Sequence, residues 1–304
     1  MSNAFNNRVF GCAIIKSINS NYNADFSHQP RTLPNGTVYA TDKVLKYSIR
    51  NYWKKVQNEQ VFYSKSLTDD MSPRTLDETL ELHFGKIEDK DKNALRLKVL
   101  KNILSCIDVR IFGGTYAGKT NISIHGTCQI THGVNRFGEN VIYSEQIMSP
   151  FRNPSEKNAD STMTTLGTQS KLQEGHYVHH FSVNPKNIED DAKRVGAEGL
   201  TISDIEKLKE GLRKGVSYYD SAAKAGTENE LLLWVQLKSD SKIVLPSFVE
   251  LVTIKEDKTI DLQAISTLLA KEHIKGEIEK IELYYNIGIT NVENAPEGAK
   301  ALEL

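Results

Sequence analysis

Residues 8–18 read RVFGCAIIKSI, a short apolar run rich in branched side chains, and that composition predicts a buried strand. Residues 19–36 follow, dense in Asn, Ser, Pro and Gly, a loop long enough to be either functional or disordered. Thr41-Asp42 then opens a helix that runs to about Val56. Its apolar face is Leu45, Ile49, Tyr52, Trp53 and Val56. Lys43, Lys46, Arg50 and Lys54 recur at spacings of three and four, so they form one cationic stripe.

Outward from this unit, residues 60–93 are polar and irregular, with Ser72-Pro73, several acids and Gly85, and read as an insertion. A second helix spans 94–106, apolar at Leu97, Leu100, Ile103 and Leu104. IDVRIF (107–112) is expected to be a strand, ended by Gly113-Gly114. Beyond a break at Gly118, residues 121–130 alternate at Ile122, Ile124, Cys128 and Ile130, a strand period. Residues 148–172 form a second polar insertion with two prolines. HYVHHFSVNP (176–185) reads as a strand ended by Asn184-Pro185. A helix at about 201–215 starts from a capping-box pattern, Ser203 to Glu206, and carries Ile202, Ile205, Leu208 and Leu212. ELLLWVQLK (230–238), IVLPSFVEL (243–251) and EIEKIELYYNI (277–287) read as further strands, with a helix near 261–270. The tail, 291–304, carries no element signal and is acidic after Ala295, which makes it a candidate for disorder. No internal repeat is present. This order predicts an α+β fold, the βαββαβ ferredoxin-like arrangement carrying two insertions.

At 304 residues the chain is one large domain with insertions or two small ones. Its 39% hydrophobic and 25% charged content excludes wholesale disorder. A formal net charge of −1 excludes a strongly basic chain that grips nucleic acid indiscriminately, but not a locally basic groove. Residues 31–55 hold Arg31, Lys43, Lys46, Arg50, Lys54 and Lys55 against Asp42 alone, a balance of +5. Residues 250–304 hold 6 Lys against 11 acids, a balance of −5. No run approaches the ~20 apolar residues of a membrane span, and the N-terminus lacks the apolar core of a secretory signal. Cys12, Cys106 and Cys128, odd in number and set among apolar neighbours, read as reduced, packed thiols of a cytoplasmic protein.

Residues 113–120 (GGTYAGKT) satisfy the P-loop pattern, but a P-loop places phosphate at the N-terminus of a following helix. Here the next residues alternate as a strand, so a turn between strands is favoured over a nucleotide triphosphatase. His176, His179 and His180, with His125, Cys128 and His132 elsewhere, lack any CxxC pair or acid at metal spacing. No metal site and no cofactor are therefore expected. Along a strand His176 and His180 share one face and His179 takes the other. No Gly-x-Ser-x-Gly elbow or electropositive cysteine supports a catalytic nucleophile. Asp42 is well placed as a helix cap, and Asp25 alone in a loop reads as solvated. The cationic stripe is the more informative feature. With Arg31 at its entry and Gly113-Gly114 beside it, where backbone can approach a ligand closely, it suits a polyanion held by its phosphates without base-edge readout.

The run Asn19-Ser-Asn-Tyr-Asn, Pro30-Arg31, Asn35-Gly36 and Thr41-Asp42-Lys43-x-Leu45-Lys46-x-x-Ile49-Arg50-x-Tyr52 resembles the signature of a CRISPR-associated backbone subunit, the "Cas seven" family of the RAMP superfamily. Asp108-Val-Arg-Ile-Phe-Gly-Gly114, Ser123-Ile-His-Gly-Thr-Cys-Gln-Ile130, Leu166-Gly-Thr, Gly175-His-Tyr-Val and Asn184-Pro185 extend the resemblance across about residues 8–240. Their order looks most like the subtype I-B branch. Two departures stand out: Asn-Tyr-Asn-Ala-Asp25 replaces the family's usual Asn-Pro-Asn-Gly-Asp loop, and His125-Gly-Thr replaces the commoner Thr-Gly-Pro.

The resemblance implies an RNA-recognition-motif-like palm (1–59, 94–147 and 173–290), a fingers insertion (60–93) and a thumb β-hairpin (148–172). Copies would stack head to tail along a guide crRNA in a type I Cascade complex, each thumb flipping out a nucleotide held by its neighbour, roughly every sixth. The guide would stay free to pair with a target DNA strand. Further implied partners are the large, small, guide 5′-end-capping and repeat-processing subunits. The implied RNA contacts are Lys43, Lys46 and Arg50 with phosphate, Arg31 at the groove mouth, Gly113 and Gly114 under the backbone, and His125 and Gln129 with ribose or phosphate. Met163 is implied as the thumb wedge, with Lys171 flanking it. The implied function is non-catalytic. The alternative is a metal-dependent ribonuclease, because backbone subunits of type III complexes cut target RNA with an aspartate in the loop that here holds Asp25.

Overall fold

The computed structural model describes residues 3–148 and 166–304. In chain order its elements begin with β1 (Asn7–Ser20), β2 (Tyr39–Ala40), α1 (Asp42–Lys55), α2 (Leu76–Phe84), α3 (Lys92–Leu104) and α4 (Ile107–Phe112). Next come β3 (Gly113–Ala117), β4 (Asn121–His125), β5 (Cys128–Ile130), β6 (Gly133–Asn135), β7 (Ile142–Met148) and β8 (Leu166–Val183). Then follow α5 (Glu189–Val195), α6 (Ile202–Tyr218), β9 (Thr227–Ser239), β10 (Thr253–Ile254) and β11 (Ile260–Asp261). The chain closes with α7 (Gln263–Leu269), α8 (Glu272–Lys275), β12 (Ile278–Tyr285), β13 (Val292–Glu293) and β14 (Ala299–Leu302).

The apolar run of β1 explains its place, since only a strand covered on both faces can be apolar at every position. Val9, Ala13 and Ile15 face one core, while Phe10, Cys12 and Ile14 face another. β1 pairs antiparallel with β8 on one side (Ala13↔His179) and with β9 on the other (Cys12↔Leu233). The sheet runs β14-β12-β9-β1-β8-β6-β2, and β5 and β7 also pair with β8. The fold is thus α+β about one large sheet. Helices α1 and α6 pack on the first face through Leu45, Ile49, Trp53, Leu208 and Leu212. On the second face Phe248, Ile260, Leu262, Ile265 and Leu269 close the other core. A third core joins Phe62, Leu80, Val99, Ile103, Val109, Tyr116 and Ile124 from α2, α3, α4 and the β3–β4 hairpin. Among the described residues no helix is long and apolar enough to cross a membrane.

Several sequence expectations are corrected. IDVRIF is the helix α4, not a strand. It lies between two cores, with Ile107, Ile111 and Phe112 in the first and Val109 in the third, so a one-and-a-half-turn helix buried all round shows no helical period. Residues 121–130 are two strands in different sheets, parted where Gly126 crosses Gly113 and Thr127 hydrogen-bonds Arg110 O through its amide and hydroxyl. The segment 243–251 is irregular and ends in a 3-10 turn at Val249–Leu251, since Pro246 has no N–H to give a ladder. The capping box of α6 is Thr201 with Asp204, two residues earlier than read. The tail is ordered: β13 pairs with β11, and β14 lies parallel to β12 (Ile281↔Ala299).

β8 carries His176 and His180 toward the second face and His179 toward the first, beside Tyr22. His179 donates Nδ1–H to Thr131 O at 3.0 Å, and His180 Nδ1 accepts Phe248 N–H at 3.2 Å, which requires that nitrogen of His180 to be unprotonated. Burial pushes each down to about 4. A group depressed in the folded state contributes stability above its unfolded value and loses it as pH falls toward the folded one. Urea unfolding should therefore show stability declining from about pH 6.5 to pH 4, by on the order of 3 kcal/mol per histidine; a flat profile across that window would contradict the neutral rings.

Candidate nucleic-acid interface

The cationic stripe of α1 divides once folded. Thr41, not Asp42, is the N-cap residue, because Asp42 already has helical backbone as the first turn begins. The Asp42 carboxylate instead pairs with Lys43 at 3.2 Å, Lys46 at 3.0 Å and His132 Nδ1 at 3.8 Å. Burial alone would raise the Asp42 carboxyl, but hydrogen bonds and charge from Lys46 and Lys43 outweigh it and hold the group below its ordinary value. The Lys43 side chain is 81% exposed and that of Lys46 only 12%. Lys54 reaches Ser64 Oγ at 3.1 Å.

Arg50 lies inward. Its Nε donates to Asp108 Oδ2 at 3.1 Å, and Asp108 is fully buried. The same carboxylate accepts the backbone amides of Phe62 and Tyr63 at 2.8 and 2.9 Å. The guanidinium sits 5.1 Å from the Phe112 ring centroid and 5.9 Å from that of Tyr63, and Lys46 lies 5.7 Å from Phe112. Both cations therefore lie over the Phe112 ring, whose quadrupole attracts each of them.

Gly113 follows Phe112 with φ +67, the left-handed region that favours glycine. A Cβ there would meet Ile124 O at 2.3 Å and Gly126 N at 2.4 Å, and one on Gly114 would meet the Tyr63 ring at 2.3 Å. Within the chain, the close approach these glycines permit is to its own hairpin and to Tyr63. His125 pairs with Gly113 across the hairpin and is exposed. Gln129 is exposed too, its Nε2 donating to Gly126 O at 2.9 Å. Lys46, Arg50, Gly113, Gly114, His125 and Gln129 are so gathered about the Phe112 turn.

Arg31 belongs to the loop before β2. Its backbone meets Asn23 O and Tyr39 N, its Nε is buried without a partner, and among the described residues it makes no ion pair. That loop is ordered. Asn23 Oδ1 accepts the amide and hydroxyl of Thr41, and Asn21 Nδ2 donates to His28 O and Ser170 O. Asp25 Oδ1 accepts Ser27 and Gln29 amides at 2.8 and 2.9 Å, which makes it a turn-forming residue. Lys171 stands apart: it pairs with Glu145 at 2.9 Å in the β7–β8 hairpin. Gln129 faces Ser182, eleven residues further along β8, roughly 35 Å away at strand rise. Met163 lies outside the described residues.

Lys119 of the P-loop-like run pairs with Glu81 at 2.6 Å, and the residues after it form β4. All three cysteines are buried free thiols, pushed up to about 12 by burial. Sequence reasoning missed Asp108, Tyr63 and Phe112, which organise the site. The lone acid inside IDVRIF was the available signal.

The family described as CRISPR-associated protein Cas7 matches residues 7–269. A solved structure described as a CRISPR RNA-guided surveillance complex, pre-nicking, is similar at TM-score 0.59 and 14% identity, covering 98% of this chain and 96% of that one. A second, described as a CRISPR RNA-guided surveillance complex, is similar at TM-score 0.52 and 14% identity, covering 95% of each chain. No curated protein matches the sequence.

Arg50→Ala strands a buried carboxylate and should cost about 3–5 kcal/mol in urea unfolding, whereas Lys43→Ala, at an exposed pair, should stay within about 0.5 kcal/mol. Equal losses for the two variants would refute the division of the stripe.

Proposed function

Because the chain belongs to the CRISPR-associated Cas7 family, we propose that it is a crRNA-binding backbone subunit of a type I Cascade complex, most like subtype I-B. It oligomerises along the guide RNA as a helical filament and leaves the spacer free to pair with a target DNA strand. The nine-stranded sheet with α1 and α6 is the RNA-recognition-motif-like palm, residues 60–93, whose Phe62 and Leu80 enter the third core, are the fingers, and the β7–β8 hairpin is the base of the thumb. The large, small, guide-capping and repeat-processing subunits are its other partners, and the cytoplasm, where the guide resides, is its compartment.

The observation that carries this reading is the pair Lys43 and Lys46 at the head of α1, with the Arg31 backbone bonded to Asn23, whose side chain holds Thr41. Arg31 is without an ion pair among the described residues, and Lys43 is largely in solvent. Arg31 and Lys43 take phosphates directly. Lys46 and Arg50 add positive potential over Phe112, each tempered by its carboxylate partner. His125 and Gln129 offer contacts to ribose or phosphate, and Lys171 and Met163 act on the thumb toward the next copy. Contacts of this kind grip any sequence alike. We assign no catalytic role. Support for this lies in Asp25, which is engaged with turn amides, and in the inert thiols.

The full chain should co-purify with small RNA, and its affinity should fall linearly in logarithm with salt. Lys43→Ala and Arg31→Ala should each shallow that slope by about 0.7 while weakening all sequences equally. Unchanged affinity and slope in the double variant would remove this surface from the RNA path.

A further inference from the structure

The loop between β1 and β2 carries one large side chain for which the folded chain has no use. Phe26 is 98% exposed. On a slack loop that would mean little, but this turn is braced from within and at both ends. Asp25 N–H donates to Gln29 O at 2.8 Å, and the Asp25 carboxylate holds the Ser27 and Gln29 amides. Asn23 ties the loop to Thr41, just before Lys43 and Lys46. Asn21 ties it to Ser170, the neighbour of Lys171 in the hairpin, and the Lys224 ammonium bonds the Tyr22 carbonyl. The ring is therefore carried on a fixed turn, whose start is tied both to Thr41 at the head of α1 and to Ser170 in the hairpin.

What could cover such a ring is decided by its surroundings. Its neighbours in the turn are Asp25, Ser27, His28 and Gln29, which supply no apolar rim. A protein-docking hot spot sits within a packed, water-excluding patch. A nucleobase needs only one aromatic face, with cations nearby to hold its phosphates. We propose that Phe26 is a stacking platform for a base of single-stranded RNA, on the loop that is tied to the head of α1 and to the hairpin. The proposal rests on the RNA-holding reading above and adds to it a base contact that tolerates any sequence, because every base has a π-face.

The two native tryptophans, Trp53 and Trp234, are fully buried, so Phe26→Trp supplies the only exposed indole in the chain. The full-length variants are titrated with single-stranded RNA of mixed sequence, following fluorescence and affinity together. Phe26→Trp should bind at least as tightly as the native chain, with its indole quenched at saturation. Phe26→Ala should weaken binding by about 5- to 150-fold with an unchanged salt slope, since no charge is removed. Phe26→Leu should not rescue. Native affinity in Phe26→Ala, full rescue by Phe26→Leu, or an unquenched indole in a saturated complex would each overturn stacking. Loss of self-association in Phe26→Ala with RNA affinity intact would assign the ring to a protein contact instead. A native chain that fails to bind RNA would overturn the RNA-holding reading itself, and stacking with it.

Discussion

A buried carboxylate must be paired or the chain will not bury it, and Asp108 sets the geometry around it. Its two oxygens gather the Arg50 guanidinium from α1 and the amides of Phe62 and Tyr63 from the segment leading to α2. Two residues on, Arg110 bonds Asp204 at 2.6 and 3.1 Å, and Asp204 is also the capping-box acid of α6. The triplet Asp-Val-Arg thus fastens a six-residue helix to α1 at one position and to α6 at another, while Val109 between them enters the third core. The placement of Phe112, and of the Gly113 crossing that follows it, depends on these two pairs.

Much of the fold was legible because its signals are local. The run 8–18, rich in branched residues, read as a buried strand, and the four-residue spacing of Leu45, Ile49 and Trp53 read as a helix facing a core. What escaped was set by tertiary context. In α4 nearly every residue is buried, so no polar face marks its period. The break after His125 is imposed by Gly126 meeting Gly113, thirteen residues earlier. The pairing of β14 with β12 needs no strong local propensity, since the sheet edge supplies the partner.

The interface shows the same limit. Helical spacing placed Lys43, Lys46 and Arg50 on one face, which they share, but spacing carries no information about counter-charges. Asp108 lies 58 residues from Arg50 and converts one expected free cation into half of a buried pair. The Asn-rich stretch read as a long loop is stapled by Asn21 and Asn23, side chains able to mimic backbone bonds. Its polar composition therefore reflects order, not freedom.

On the proposed function, copies must also meet one another, and the sheet limits how. One edge ends in the two-residue β2 and the other in the four-residue β14. Edges that short offer few open amides and carbonyls, so strand addition at these two ends would gain little. The longer free edge is that of the seven-residue β7, which among the described residues pairs with β8 alone. The β7–β8 hairpin is suited to reach another copy: it leaves the sheet far from the Phe112 turn, exposes Ile147 and Met148, and carries Lys171 paired with Glu145. With the cations grouped at the head of α1 and the acidic excess in the last fifty-five residues, two copies attract wherever the head of α1 on one meets the acidic region of the other. When only one such contact forms per pair, each copy keeps one free patch of either sign, and the assembly continues from it.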